Sequence, residues 1–346
     1  MNSRERVLAA IRHQPTDRLP KGEMWIDGGL ANRLMGTSHP EDYDHFERDL
    51  AIRKLLRMDL VNVGNWPQWP IGTDEKGRTV YRSNYGYDFI QGASRHVVRP
   101  PLEDIEDADT YEKPDISRVD ASQVRRYAEE TDLFVFAQVG GPISMLNEMF
   151  PMEDYLVYCM TNPDEIIMIS DKVIEYEIEK AKLFLDTGAD GILIADDMAF
   201  NTGLFLPPRV MERLVYPYYE KMIREIKAHR DVPVFLHSDG DMNAVMPKIV
   251  ELGFDGLQSL QPTAKMDIAQ IKKRYGDRLC LWGNIDLNYV MSFASPEEVR
   301  QVVRDTIRVA APGSGYILST CNVMVSCIPP ENVLAMMEAG EEPIFE

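Results

Sequence analysis

The sequence predicts an α/β protein, a (β/α)8 TIM barrel built as one domain over residues 1–346. Short continuous apolar runs alternate with stretches of helical periodicity, the pattern of a parallel sheet covered by helices. Eight such runs favour a closed barrel over an open doubly wound sheet. No Gly-x-Gly-x-x-Gly follows any run, which argues against a dinucleotide-binding fold.

In chain order, Gly22–Ile26, Leu60–Gly64 and Leu133–Val139 supply the first three strands. Gly191–Ala195 is the fourth and runs into Asp196-Asp197. Pro233–Leu236 is the fifth and ends at His237. Gly256–Leu260 is the sixth. Leu279–Trp282 is the seventh and ends in Gly283-Asn284; Tyr316–Ser319 is the eighth and ends at Cys321. Pro207–His229 carries Val210, Leu214, Tyr218 and Ile223 on one helical face, and Asn243–Leu252, Met266–Tyr275 and Pro296–Ala311 read the same way. Pro207-Pro208 and Ser295-Pro296 are good helix starts, because a first-turn proline loses no needed hydrogen bond. Gly72–Arg99 breaks the rhythm. It alternates polar with β-prone residues around a Lys76-Gly77 turn, and is expected to be a β-hairpin inserted after the second strand. Such an insertion either covers a substrate or decorates the surface.

Composition narrows the function. The 346 residues are 45% hydrophobic and 27% charged, a globular balance with material for a large core. Lys+Arg total 37 against 56 Asp+Glu, a formal charge of -19 that repels phosphate backbones and excludes a nucleic-acid partner. Met1–Arg18 is charged throughout, and no apolar run reaches the ~18 residues of a membrane span, so a cytoplasmic location without membrane contact is expected. Cys159, Cys280, Cys321 and Cys327 are too few for a disulfide scaffold. Cys159, Cys280 and Cys327 are assigned to the core.

In such barrels chemistry sits at the C-terminal strand ends. His237 and Asp239 follow the fifth strand and Cys321 follows the eighth. An imidazole, a carboxylate and a thiolate suit Zn²⁺ and leave it an open position. Taken singly, His237 also reads as a hydrogen-bonded histidine and Cys321 as a small buried residue. Asp196 and Asp197 are either acid–base groups or a helix cap. Glu23 and Asp27 are either a fourth metal ligand or a proton carrier, or else a solvated strand end, and Asp27 is also a candidate substrate contact. Trp66 and Trp69 can stack on a flat ligand or simply pack their loop. Trp25, Asn65, Trp282 and Asn284 stand at the same strand ends as candidate substrate contacts.

Together, several segments resemble the uroporphyrinogen decarboxylase superfamily. They are Ser3–Ile11 with Thr16–Pro20, Asp196-Asp197-Met198, His237-Ser238-Asp239-Gly240, Trp282–Asp286, Gly315–Leu318 and Pro329–Asn332. The decarboxylases of that superfamily hold their substrate's carboxylates with an arginine-rich segment after the first strand; here Trp25–Leu30 has no arginine. The corrinoid (cobalamin)-dependent methyltransferase branch binds zinc through His-x-Cys after strand five and a cysteine after strand eight. His237 and Cys321 match that pattern, and Asp239 departs from it. The resemblance implies a zinc methyltransferase served by a separate corrinoid-binding protein. The harder donor Asp239 points to a methylated oxygen as methyl donor, such as a methoxylated aromatic. The alternatives are methyl transfer from a methylcorrinoid to a thiol or a folate, and decarboxylation.

Overall fold

Strands form where the apolar runs fall, because residues buried on both faces of a sheet favour the extended backbone of parallel pairing. The computed structural model describes residues 1–36, 44–91 and 95–342; residues 92–94 of the expected insertion lie outside it. Helices α1 (Ser3–Ile11), α2 (Gly28–Met35) and α3 (His45–Leu55) precede β1 (Leu60–Gly64). Next come β2 (Gln68–Thr73), β3 (Thr79–Ser83), β4 (Asp88–Gln91) and β5 (Arg95–Arg99). Helix α4 (Ser122–Glu130) leads into β6 (Phe134–Gly140), followed by α5 (Pro142–Met149), α6 (Met152–Thr161) and the long α7 (Pro163–Thr187). Strand β7 (Gly191–Ala195) is followed by the short pair β8 (Ala199–Phe200) and β9 (Gly203–Leu204), then α8 (Pro208–Leu214) and α9 (Tyr216–His229). The remainder alternates: β10 (Val234–Ser238), α10 (Met246–Leu252), β11 (Gly256–Ser259), α11 (Ile268–Tyr275), β12 (Cys280–Ile285), α12 (Pro296–Ala310), β13 (Tyr316–Thr320) and α13 (Pro330–Ala339).

The result is an α/β fold around a curled parallel sheet of seven strands, ordered β1-β6-β7-β10-β11-β12-β13. The helix expected over Pro207–His229 is divided at Val215 into α8 and α9. At the start of α12, Ser295 caps the helix and Glu298 returns a bond to the cap, so the acidic first turn meets the positive helix end.

The strand expected at Gly22–Ile26 is not a regular strand. Its ladder is reduced to isolated parallel bridges, Lys21 to Leu318 and Ile26 to Met324. Leu318 N–H donates to Pro20 O and Gly22 N–H to Leu318 O, while Asp59 N–H donates to Lys21 O. The Pro20–Gly22 segment therefore bonds β13 on one side and the approach to β1 on the other. Glu23 then replaces ladder bonds with side-chain ones, accepting from the Thr320 N–H at 2.9 Å and from the Ser319 and Thr320 hydroxyls at 3.0 and 2.6 Å. The buried Arg53 holds the same segment by donating to the carbonyls of Glu23 and Leu60.

The expected single hairpin is instead a four-stranded antiparallel sheet, ordered β2-β3-β4-β5, that begins at Gln68. Its anchor is a buried ion pair. Glu177 and Lys180 of α7 lie 2.8 Å apart with both side chains at 0% exposure. Glu177 accepts from the Tyr85 hydroxyl of the insertion and, at 2.7 Å, from the N–H of Gly140 at the end of β6. Lys180 lies 5.3 Å from the centre of the Trp66 ring. Burying two charges is tolerable here because each is paired and hydrogen-bonded.

Period-two alternation sorts the seven-stranded sheet into two faces. Val61, Val135, Ile192, Val234, Leu257 and Leu318 face the helices. Leu60, Phe136, Leu193, Phe235, Trp282 and Ile317 face inward and pack with Val7 and Ile11 of α1. Cys159, Cys280 and Cys321 are buried, but Cys327 is exposed, contrary to the core assignment made for it. No helix among the described residues is long and apolar enough to cross a membrane.

Candidate active site

Two residues beyond the inward apolar layer, the same faces turn polar. Leu60 leads to Asn62, Phe136 to Gln138, Phe235 to His237, Gly256 to Gln258 and Ile317 to Ser319, all of them buried. These groups satisfy one another across strands. Asn62 Nδ2 donates to Gln138 Oε1 at 2.6 Å, and His237 Nδ1 bonds Gln258 Oε1. An amide oxygen accepts only, so His237 donates from Nδ1, which leaves Nε2 as the ring nitrogen that faces the cluster.

That nitrogen meets two carboxylates. Asp197 Oδ1 lies 3.7 Å from His237 Nε2 and accepts the Asp239 N–H at 2.8 Å. Asp239 accepts from Ser259 Oγ at 2.6 Å through one oxygen and from Asn322 Nδ2 through the other. One donor atom each from Asp197, His237 and Asp239 fall within 4.8 Å of one another. Burial raises the Asp239 pKa; His237 opposes that shift and the Asp197 charge adds to it. Gly240 sets the turn that follows. Its φ is +88°, and a Cβ there would lie 2.3 Å from the Ala199 carbonyl oxygen.

The cluster opens on a cavity of about 270 Å³ lined by Trp25, Trp66, Arg95, Ser144, Glu148 and Asn322, together with Asp196, Asp197 and His237. Trp25 and Trp66 meet edge to face, with ring centres 6.0 Å apart, and Trp25 Nε1 donates to Asn62 O at 3.1 Å. Asp196 is fully buried. It accepts from the Tyr219 hydroxyl and from the N–H groups of Ile143 and Ser144 at the start of α5, and burial raises its pKa to about 7. Ser144 Oγ in turn accepts the Asp197 N–H at 2.9 Å. Asp196 therefore caps a neighbouring helix, while Asp197 faces the cavity.

Other candidates go elsewhere. Cys321 does not join the cluster. It follows β13, three strands along the sheet from β10, whereas Asp197 follows β7, which is paired with β10. The Cys321 thiol takes a backbone bond from Leu287, and burial pushes its pKa up to about 12; the side chain that reaches Asp239 is that of Asn322, the next residue. Glu23 is spent on Ser319 and Thr320, and burial raises its pKa to about 7. Asp27 caps α2. Asn65 accepts the Asp120 N–H, and Trp69 lies under the Arg118 guanidinium at 4.4 Å. Trp282 belongs to the inner core, stacked on Phe136 at 5.2 Å and donating to Gly22 O, which corrects its assignment as a substrate contact. Asn284 lines a separate groove with Lys265 and Asp286. Sequence reading missed Arg95, Ser144 and Glu148. Ser144 and Glu148 carried no strand-end signal because they belong to α5, and Arg95 belongs to the insertion.

A parallel α/β sheet with polar, ligand-capable groups at its C-terminal strand ends is the arrangement of an enzyme site. The chain belongs to the uroporphyrinogen decarboxylase (URO-D) family, whose match spans residues 84–343. It is 24% identical to the methylcobamide:CoM methyltransferase MtaA of Methanosarcina barkeri, covering 97% of both chains. It is 28% identical to the uroporphyrinogen decarboxylase of Alkalilimnicola ehrlichii, covering 97% of this chain and 93% of that one. Among solved structures, a methyltransferase from Methanosarcina mazei shares the fold with a TM-score of 0.75 and 18% identity over 98% of both chains.

Proposed function

We propose that this chain is a corrinoid-dependent methyltransferase that takes a methyl group from an oxygen of a small, flat substrate, a methoxylated aromatic, and passes it to a corrinoid carried by a separate protein in the cytoplasm. The observation that carries the proposal is the Asp197–His237–Asp239 cluster opening on a cavity walled by Trp25 and Trp66. The curled sheet then acts as a single-domain TIM barrel, with Pro20–Gly22 as its eighth stave and the antiparallel insertion as one wall of its mouth.

The cluster fits a divalent metal. Its donors are one imidazole nitrogen and two carboxylates whose mutual repulsion a cation relieves. Asp197, His237 and Asp239 would hold zinc, which supplies a Lewis acid for an ether oxygen and its leaving form. Nitrogen and oxygen donors make a harder centre than a thiolate set, and so favour an oxygen over a sulfur ligand.

The chain's own residues do the rest. Gln258 keeps Nε2 of His237 aimed at the cluster, and Ser259 and Asn322 fix both oxygens of Asp239. The two tryptophans offer apolar walls to a ring and exclude water from it. When the methyl carbon leaves, the electron pair of the C–O bond stays on the oxygen, which then takes a proton from solvent.

The likeness to a methylcobamide:CoM methyltransferase favours a second reading, transfer from a methylcorrinoid to a thiol. One absorbance experiment separates the two. With zinc-loaded protein and a reduced Co(I) corrinoid, methoxyarenes are expected to produce the methylcorrinoid spectrum. Demethylation of a methylcorrinoid by a thiol, with no reaction from any methoxyarene, overturns the direction proposed here.

A further inference from the structure

The cavity lining contains one Lys or Arg side chain among the described residues, Arg95, and it comes from the insertion. Arg95 opens β5, the outer strand of the four-stranded sheet. Among the described residues its guanidinium is held on one side only. Nη1 donates to Glu148 Oε2 at 2.8 Å and to the Tyr87 hydroxyl at 3.2 Å, and Cζ sits 5.3 Å from the centre of the Phe89 ring. Among the described residues, Nε and Nη2 make no hydrogen bond, and the side chain is 30% exposed. An arginine anchored through one nitrogen presents its remaining two as a planar fork, the geometry that a carboxylate matches with two parallel bonds.

Helix α5 sets the spacing. Ser144 accepts the Asp197 N–H, and Glu148, which holds Arg95, lies one helical turn further on, a step of ~6 Å. Met145, between them, lines the same cavity. One helix face therefore runs from the residue that bonds the Asp197 backbone to the residue that holds Arg95, a step of ~6 Å, comparable with one substituted benzene ring. A cavity of about 270 Å³ is at the small end for ligand sites, which also suits a single ring.

Resting on the methyltransferase reading, we propose that Arg95 determines substrate specificity: the substrate is an aromatic ring that carries a carboxylate as well as its methylated oxygen, and Arg95 binds that carboxylate through Nε and Nη2. The antiparallel insertion thereby becomes a selectivity element. Glu148 is a positioning residue that holds the fork open toward the cavity. A single fork also suits a monocarboxylate better than a phosphate, whose second charge finds no partner beside Asp197 and Glu148.

The test is calorimetric binding of 4-methoxybenzoate against its neutral counterpart 4-methoxybenzamide, using full-length, zinc-loaded protein. The native protein is expected to bind the carboxylate at least 10-fold more tightly. In Arg95→Gln that ratio is expected to fall to about 1, and in Arg95→Lys, which keeps the charge and loses the fork, to an intermediate value. Near-ultraviolet circular dichroism checks that each variant is folded; if Arg95→Gln is not, Arg95→Lys decides. A native ratio near 1, or a ratio that Arg95→Lys and Arg95→Gln leave intact, overturns the proposal. An Arg95-dependent preference without methyl transfer to any corrinoid leaves this proposal standing and removes the methyltransferase reading. Methyl transfer from methoxyarenes without an Arg95-dependent preference does the reverse.

Discussion

His237 and Gln258 sit directly opposite each other on the paired strands β10 and β11, and the amide oxygen of Gln258 accepts the hydrogen bond that Nδ1 of the imidazole donates. Gln258 is completely buried, so nothing in solvent replaces that bond. An orienting partner of this kind typically accounts for 10–100-fold in metal affinity. Gln258→Leu is therefore expected to weaken zinc binding by about that factor, with the fold retained. Competition titration against a chromogenic chelator measures it, and an unchanged affinity refutes the orienting role.

The donor set makes a second prediction. Asp197→Asn, Asp239→Asn and His237→Ala are each expected to lose most of the bound zinc after dialysis, whereas Cys321→Ala is expected to keep it. Elemental analysis of the purified variants reads the outcome directly. Zinc lost on changing Cys321 but retained on changing Asp197 would restore the thiolate site that the sequence suggested.

Gly240 tests the turn that carries Asp239. Any Cβ there combines a left-handed φ of +88° with a 2.3 Å approach to a backbone oxygen, and backbone has little freedom to yield. Gly240→Ala is expected to destabilise the protein by at least about 2 kcal/mol. Chemical denaturation of the metal-free protein checks this; a loss under 1 kcal/mol means the turn can relax.

Glu23 offers a pH test. Burial holds its folded pKa near 7, above its ordinary value of 4.5. At low pH it is protonated in both states, and its contribution to stability is fully present. As pH rises from about 4.5 to 7 the unfolded chain ionises first, and that contribution is lost, to about 3 kcal/mol. Glu23→Gln removes this dependence. Whatever the variant's absolute stability, its stability relative to the native protein is expected to improve by up to that amount between pH 4.5 and pH 7.5. Parallel denaturation curves for the two proteins contradict this.

Much of the fold was legible because strand formation here is a local matter. Seven apolar runs, each buried on both faces, coincide with β1, β6, β7, β10, β11, β12 and β13. The remaining run, Gly22–Ile26, was less legible, because Glu23 takes its bonds with a side chain and only bridges remain. The insertion was legible as β structure but not in strand number, since turn signals do not reveal how many times a chain returns.

By itself, the sequence determined which residues stand at the strand ends, because period-two alternation turns His237, Asp239 and their neighbours toward the mouth once the apolar runs are placed. Only the tertiary structure decided which of those residues meet. Asp197 joins His237 because β7 pairs with β10, while Cys321 ends a strand three places away with its thiol turned to Leu287. Arg95 enters the same cavity from an inserted sheet held by the buried Tyr85–Glu177 bond. Strand order and docking are long-range outcomes of packing, and no local periodicity encodes them.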